Sequence, residues 1–239
     1  MAWPPIKLNE IVDALDRGPR SLLALVGGGG KTTLLFALGR GSPSRTVLTT
    51  TTKMGSALTS GFPPLIDPSP AVIVDALRRH RAVLVWREVA AHRARGFAPS
   101  TIDRWFSTRV ADHIVVESDG ARSHPFTAPA PHEPPVPAAT TIVVACVGAD
   151  ALGRVVADRC HRPLRVAAAA DCSPYERLTP ERAASAITST IGLGKNVPDA
   201  ARFVVAITKV ASDDTAARRL DEMLTDRGVE TLLVARFAT

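Results

Sequence analysis

Four consecutive glycines followed by Lys31, Thr32 and Thr33 stand between an apolar run, residues 21–26 (SLLALV), and a segment of helical character. Glycine lets successive backbone N–H groups approach an anion with no Cβ in the way. A helix starting near Lys31 would aim the positive end of its dipole at the same anion. In that geometry Gly27, Gly28, Gly29 and Gly30 cradle phosphate oxygens and a solvent-facing Lys31 reaches the β- and γ-phosphates. The Thr32 hydroxyl ligates Mg²⁺, with Thr33 beside it in the cradle. The ligands expected are a nucleoside triphosphate, ATP or GTP, and Mg²⁺. A full GxxxxGK[ST] pattern would need glycine where Leu25 stands, so the loop is a variant. The plain alternative is a glycine turn without a ligand.

A carboxylate with the right setting follows. Residues 113–117 (HIVVE) form an apolar strand ending in Glu117, which can hold Mg²⁺ through water at the carboxyl end of a strand beside the phosphate loop. Ser118, Asp119 and Gly120 then resemble a DxxG switch. There the Gly120 N–H senses the γ-phosphate, and Asp119 orients a water or substrate hydroxyl as a catalytic base. A solvated acidic turn is the other reading of both carboxylates.

Residues 49–53 (TTTTK) end a second strand on the same edge. Thr49 and Thr50 fit β-propensity alone. Past the strand's end, the Thr52 hydroxyl can join the Mg²⁺ shell and the Lys53 ammonium can face phosphate. Arg122 is a candidate clamp for the γ-phosphate or a substrate. Residues 206–214 (AITKVASDD) resemble the base-reading TKxD loop of GTPases. Thr208 and Lys209 match, but Ala211 occupies the position of the guanine-reading aspartate. An ordinary strand-to-helix turn capped by Ser212 fits the same residues.

These residues need a scaffold. Short apolar runs at 21–26, 46–50, 82–86, 113–117, 140–147, 202–208 and 230–236 alternate with helix-like stretches at 8–16, 69–79, 100–111, 180–191 and 213–227. Buried strands alternating with amphipathic helices imply an α/β fold with a mostly parallel sheet covered on both faces. Residues 121–137 hold six prolines and can be neither a central strand nor a helix. Residues 148–179 read as a small helical insert within a single domain spanning 1–239.

Composition narrows the function classes. The chain has 239 residues, 46% hydrophobic and 22% charged, as in soluble globular proteins. No apolar run reaches membrane-spanning length, and the first ten residues lack a secretory pattern, so a cytoplasmic protein with no membrane partner is expected. Cys146, Cys160 and Cys172, an odd number without CxxC spacing, argue against a disulfide framework and a zinc finger. The net charge of +6 comes from 29 basic residues, 24 of them scattered arginines. Without a recognition motif or aromatic platform, nucleic-acid binding is not expected. The clusters 78–81 (RRHR) and 93–95 (RAR) read as exposed helix ends or faces.

Taken in order, the segments VGGGGKTT, TTTTKM, VVESDGAR, APAPHEPPVP, CHRP and ITKV resemble the YqeC family. Its members are described as accessory proteins of selenium-dependent molybdenum hydroxylases. The loop core also resembles the GGxGKT of signal-recognition-type P-loop proteins. The resemblance implies a three-layer P-loop NTPase-like fold and a role in preparing or inserting the molybdenum cofactor of a hydroxylase. The implied partners are that hydroxylase or its cofactor-maturation proteins, with a homodimer left open. It also makes His124, His132, Glu133 and His161 candidates for substrate or partner contacts. As metal ligands His124, His132 and Glu133 have a spacing that fits no standard set, and satisfied loop histidines are the simpler reading.

Three functions remain at this stage. One is a Mg²⁺-dependent NTPase assisting maturation of a molybdenum enzyme. Another is a kinase or ligase passing the γ-phosphoryl group to an acceptor, and the third a non-hydrolysing nucleotide sensor. All need the same cradle.

Overall fold

A computed structural model describes residues 5–15, 17–57 and 59–236. Eight strands form one sheet: β1 (Ser21–Gly27), β2 (Thr46–Thr50), β3 (Pro64–Ile66), β4 (Ala82–Trp86), β5 (His113–Glu117), β6 (Ile142–Gly148), β7 (Arg202–Val210) and β8 (Glu230–Ala235). Their order is β8-β7-β6-β1-β5-β2-β4-β3, and every neighbouring pair is parallel. All residues of β1, β2, β5 and β6 are buried. That explains why these strands read as continuous apolar runs rather than alternating ones.

Among the described residues, six helices of eight residues or more cover the faces: α1 (Lys31–Gly41), α2 (Pro70–Arg79), α3 (Pro99–Ser107), α4 (Pro163–Ala170), α5 (Pro180–Thr188) and α6 (Thr215–Asp226). Four open on proline, whose fixed φ and missing N–H suit the first helical position. Alternation along β1 sorts the layers. Leu23 and Leu25 pack with Leu34, Leu35 and Leu38 of α1 on one face. On the other, Leu22 joins residues of α2 and α3, while Ala24 and Val26 join α4, α5 and α6. The result is the expected three-layer P-loop NTPase-like α/β fold, with its sheet fully parallel.

The topology puts a crevice at β1. From β1 the chain builds β2 to β5 on one side, then crosses to β6 and continues outward on the other. Ligand sites of open α/β sheets lie outside the carboxyl ends of strands at such reversals. Leu25 is level with Glu117 of β5, and Gly27 with Cys146 of β6. The glycines therefore rise just past the Glu117 carboxylate.

Several elements depart from the sequence expectation. The helix expected over 8–16 is a 3₁₀ turn, Leu8–Glu10, followed by the single turn Ile11–Ala14; Asp16 lies outside the described residues, as do the first four of the N-terminal stretch. The strand expected from Thr140 begins at Ile142. α3 stops at Ser107, short of 111, with Arg109 at a φ of 58° just beyond it. Arg93–Arg95 is no helix end. It is the middle strand of a small antiparallel sheet with Lys53–Gly55 and Glu88–Ala90. Three-residue strands carry no readable period, and one partner, Lys53–Gly55, lies some forty residues away in sequence. The edge strand β3 escaped notice for the same reason.

The 121–137 segment is ordered by its neighbours. Phe126–Thr127 pairs in parallel with Cys160–His161. The Arg165 Nε donates to the Pro129 carbonyl at 2.7 Å and Lys195 Nζ to the Ala130 carbonyl at 3.0 Å. Within 148–179, where a helical insert was expected, the 3₁₀ turn Ala149–Ala151, the short helix Val156–Arg159 and α4 account for less than half of the residues, the rest being turns and the strand Cys160–His161. No helix among the described residues is long and apolar enough to cross a membrane.

Candidate functional site

The glycine loop is held by its own N–H groups. Gly27 N donates to Asp119 Oδ2 at 2.6 Å, Gly28 N to the Cys146 carbonyl at 2.9 Å and Gly29 N to the His124 carbonyl at 3.1 Å. This corrects the expectation that all four glycines turn their N–H groups towards a ligand. Within the loop and the first turn of α1, the N–H groups of Gly30, Lys31, Thr32 and Thr33 have no protein acceptor among the described residues. Four open donors at a helix start make a ready anion site.

Close approach explains the glycine at position 28. A Cβ there would lie 2.6 Å from the His124 carbonyl oxygen and 2.8 Å from Phe126 N. The proline-rich segment thus leans directly on the loop, with Gly148 N also donating to the Pro125 carbonyl at 2.8 Å.

Lys31 departs from its expected solvent-facing position. It is 5% exposed, its ammonium lies 2.8 Å from Asp119 Oδ1, and it donates to the Gly27 carbonyl. Burial by itself would lower its pKa, but the charges of Asp119 and Glu117 more than reverse that and raise it. Lys31 is therefore a firmly protonated cation beneath the loop. Asp119, 2% exposed, is spent on Lys31 and Gly27. It anchors the loop and does not reach the cavity as the expected base.

Glu117 fits its expected place. At the carboxyl end of β5, 7% exposed, its Oε2 accepts from Thr32 Oγ1 at 2.8 Å. Burial pushes its carboxyl above the ordinary range, and Lys31 and the Thr32 hydroxyl pull it back. A hydroxyl and a carboxylate this close, beside the open N–H groups, suit a hard divalent cation.

These groups face a cavity of about 370 Å³. Gly29 to Thr33 and Glu117 form its floor, Lys53 and Arg93 come from the antiparallel sheet, Gly120, Arg122 and His124 from the turn after β5, and Lys209 closes a side. Lys53, Arg122, Gly120 and Lys209 thus meet there as expected. Arg93 was missed, since its cluster reads as a helix end. Larger recesses exist elsewhere, but none contains the glycine loop together with Glu117.

Other expected members stand apart. Thr52 does not line the cavity; its hydroxyl bonds that of Thr50 at 3.2 Å, so the structure does not bring it to the Thr32–Glu117 pair. Thr208 is buried and braces the loop by donating to the Gly29 carbonyl. Lys209, at a φ of 59° within a register shift of β7, extends to Asp150 at 3.0 Å. The turn before α6 is capped by Asp214, whose Oδ1 accepts from Ala217 N at 2.9 Å, not by Ser212. Glu133 pairs with Arg162 at 2.7 Å, and His132 is exposed. No group of three or more His, Cys, Asp or Glu placed to hold a metal ion occurs among the described residues.

A fully parallel sheet with a glycine loop at its switch strand and an acidic strand end beside it defines a protein of the P-loop NTPase-like α/β class in fold. Within that class the chain belongs to the YqeC family. The family model described as YqeC protein matches residues 23–164, from β1 to the start of α4. The Escherichia coli (strain K12) protein named "Uncharacterized protein YqeC" is 31% identical over 222 residues, 87% of this chain and 86% of its own. No solved structure matches.

Proposed function

We propose that this chain binds a nucleoside triphosphate with Mg²⁺ and hydrolyses it, in the service of maturation or cofactor insertion in a molybdenum hydroxylase. The observation that carries the nucleotide reading is the Thr32–Glu117 pair at 2.8 Å beside the open N–H groups of α1. The donor set fits the ligand. Four backbone donors suit phosphate oxygens, and an oxygen-only pair suits Mg²⁺. Thr32 and Glu117 would hold the cation, which when bound would offset charge on the β- and γ-phosphates. Lys53, Arg93 and Arg122 supply positive charge opposite the loop. Lys31 neutralises Asp119 beneath it, and an entering phosphate competes with Asp119 for that ammonium. The molybdenum-enzyme client rests on the family resemblance alone.

The engagement of Asp119 by Lys31 favours a second reading, a non-hydrolysing nucleotide-sensing adaptor. Transfer to a small acceptor is the third. Phosphate release without an added acceptor supports hydrolysis, acceptor-dependent release supports a kinase or ligase, and tight binding without turnover supports the adaptor.

Calorimetric titration with ATP and GTP, with and without Mg²⁺, tests the nucleotide reading. Mg²⁺-dependent binding that weakens in Thr32→Ala is the expected result. Glu117→Gln should reduce Mg²⁺-dependent turnover more than binding, because backbone donors hold the phosphates. No binding of either nucleotide at millimolar concentration would refute the assignment.

A further inference from the structure

With Asp119 committed to Lys31, the cavity needs another group to take a proton, and the turn after β5 offers one. We propose that His124 is the proton acceptor of this site, receiving through Nε2 the proton of the water that attacks the γ-phosphate. The inference rests on the nucleotide reading above.

The tautomer follows from its partners. His124 Nδ1 lies 3.2 Å from the Ala121 carbonyl oxygen and 3.1 Å from that of Arg122. Carbonyl oxygens only accept, so Nδ1 carries the hydrogen, and in the neutral ring Nε2 holds the lone pair. Among the described residues Nε2 has no partner, and the half-buried residue lines the same cavity as Thr32 and Glu117.

The ring's place is fixed relative to the loop. The His124 carbonyl accepts from Gly29 N at 3.1 Å, and His124 N donates to the Ala121 carbonyl at 2.9 Å. Arg122 and Ser123 both adopt left-handed backbone, at φ of 47° and 64°, a conformation that non-glycine residues avoid and that clusters at functional sites. Backbone strain here accompanies a turn that brings the imidazole back against the glycine loop.

The step balances without a further reactant. A bond forms between the water oxygen and the γ-phosphorus, and the bond to the β–γ bridging oxygen breaks, its electron pair leaving with the diphosphate. The water proton passes to Nε2, and the imidazolium returns it to solvent. The groups facing His124 are His161, with ring centroids 5.9 Å apart, Arg122 on its own turn, and Lys31, Glu117, Lys53, Arg93 and Lys209 around the cavity. The charges of Arg162 and Glu133 act in turn on His161.

The test measures phosphate release and nucleotide affinity from pH 5 to 8 in the full chain and in His124→Asn, His124→Gln and His161→Asn. His124→Asn can keep a donor for the Ala121 and Arg122 carbonyls while removing Nε2. The expected result is an acid limb in the parent's turnover. Both His124 variants should lose that limb and about a hundredfold in turnover, with nucleotide affinity and melting temperature held. His161→Asn should keep the limb. Turnover within threefold of the parent in a folded His124 variant, loss of the limb only in His161→Asn, or nucleotide binding with no turnover in the parent would each overturn the proposal. Absence of nucleotide binding in the parent would instead overturn the reading on which it rests.

Discussion

The Lys31 ammonium lies 2.8 Å from the Asp119 carboxylate beneath the glycine loop, and the same carboxylate accepts the Gly27 N–H at 2.6 Å. The two residues stand 88 apart in sequence, at the start of α1 and just past β5. Together they clamp β1 and β5 where the cavity opens. Removing one member of a buried pair leaves the other charge uncompensated, which destabilises by about 3–5 kcal/mol. Lys31→Ala should therefore lower the unfolding free energy by about 3 kcal/mol in urea titration, besides weakening nucleotide binding. A variant of parental stability would mean that the pair is not formed in solution.

Gly28→Ala probes the contact between the loop and the proline-rich segment. The added methyl would meet the backbone of His124, Pro125 and Phe126 at 2.6 to 2.8 Å, where no side chain can move aside. Overpacking of this kind costs about 1–3 kcal/mol. The variant should melt lower and bind nucleotide more weakly. Unchanged melting and affinity would show that the two segments separate easily.

The cations opposite the loop should act on rate more than on affinity. A charge aimed at a transferring phosphoryl group can be worth on the order of 10³-fold in turnover. At least one of Lys53→Ala, Arg93→Ala and Arg122→Ala should lower turnover to that extent with nucleotide affinity within a few-fold. Normal turnover in all three would remove them from the chemistry.

Base preference should be weak. Ala211 offers no carboxylate, and Asp214 is engaged as the cap of α6. Losing a charge-assisted pair to guanine forfeits roughly 1–3 kcal/mol. ATP and GTP affinities should then lie within about tenfold in competition titrations. A GTP preference above about a hundredfold would bring a carboxylate outside position 211 into base reading.

Stability should fall on mild acidification through His113. This ring is 3% exposed and bonded through Nδ1 to Ser21 Oγ at 2.9 Å. Burial, aided by the charge of Arg17, lowers its pKa to about 4. Between the ordinary imidazole value and that one, the unfolded chain binds a proton that the folded chain refuses, so stability drops as pH falls through the window. The contribution should be about 2 kcal/mol between about pH 7 and 5. His113→Asn should flatten that part of the urea-denaturation profile, and a profile identical to the parent's would count against it.

What the sequence determined by itself is what local pattern encodes. Continuous apolar runs require a sheet covered on both faces, which located seven of the eight strands, and glycines leading into Lys31 mark a loop opening a helix. Glu117 was legible because a carboxylate after an apolar strand stands out. The parallel order and three layers follow from alternating strands and helices. Only the tertiary structure decided which charges meet. It turned Lys31 inward, spent Asp119 on the loop, left Thr52 on Thr50, and brought Arg93 and His124 to the cavity. These outcomes depend on which strand ends lie side by side and on backbone contacts between segments about a hundred residues apart, such as His124 against Gly28. No spacing along the chain records them, because the energy of burying a charge is set by the groups that surround it in space.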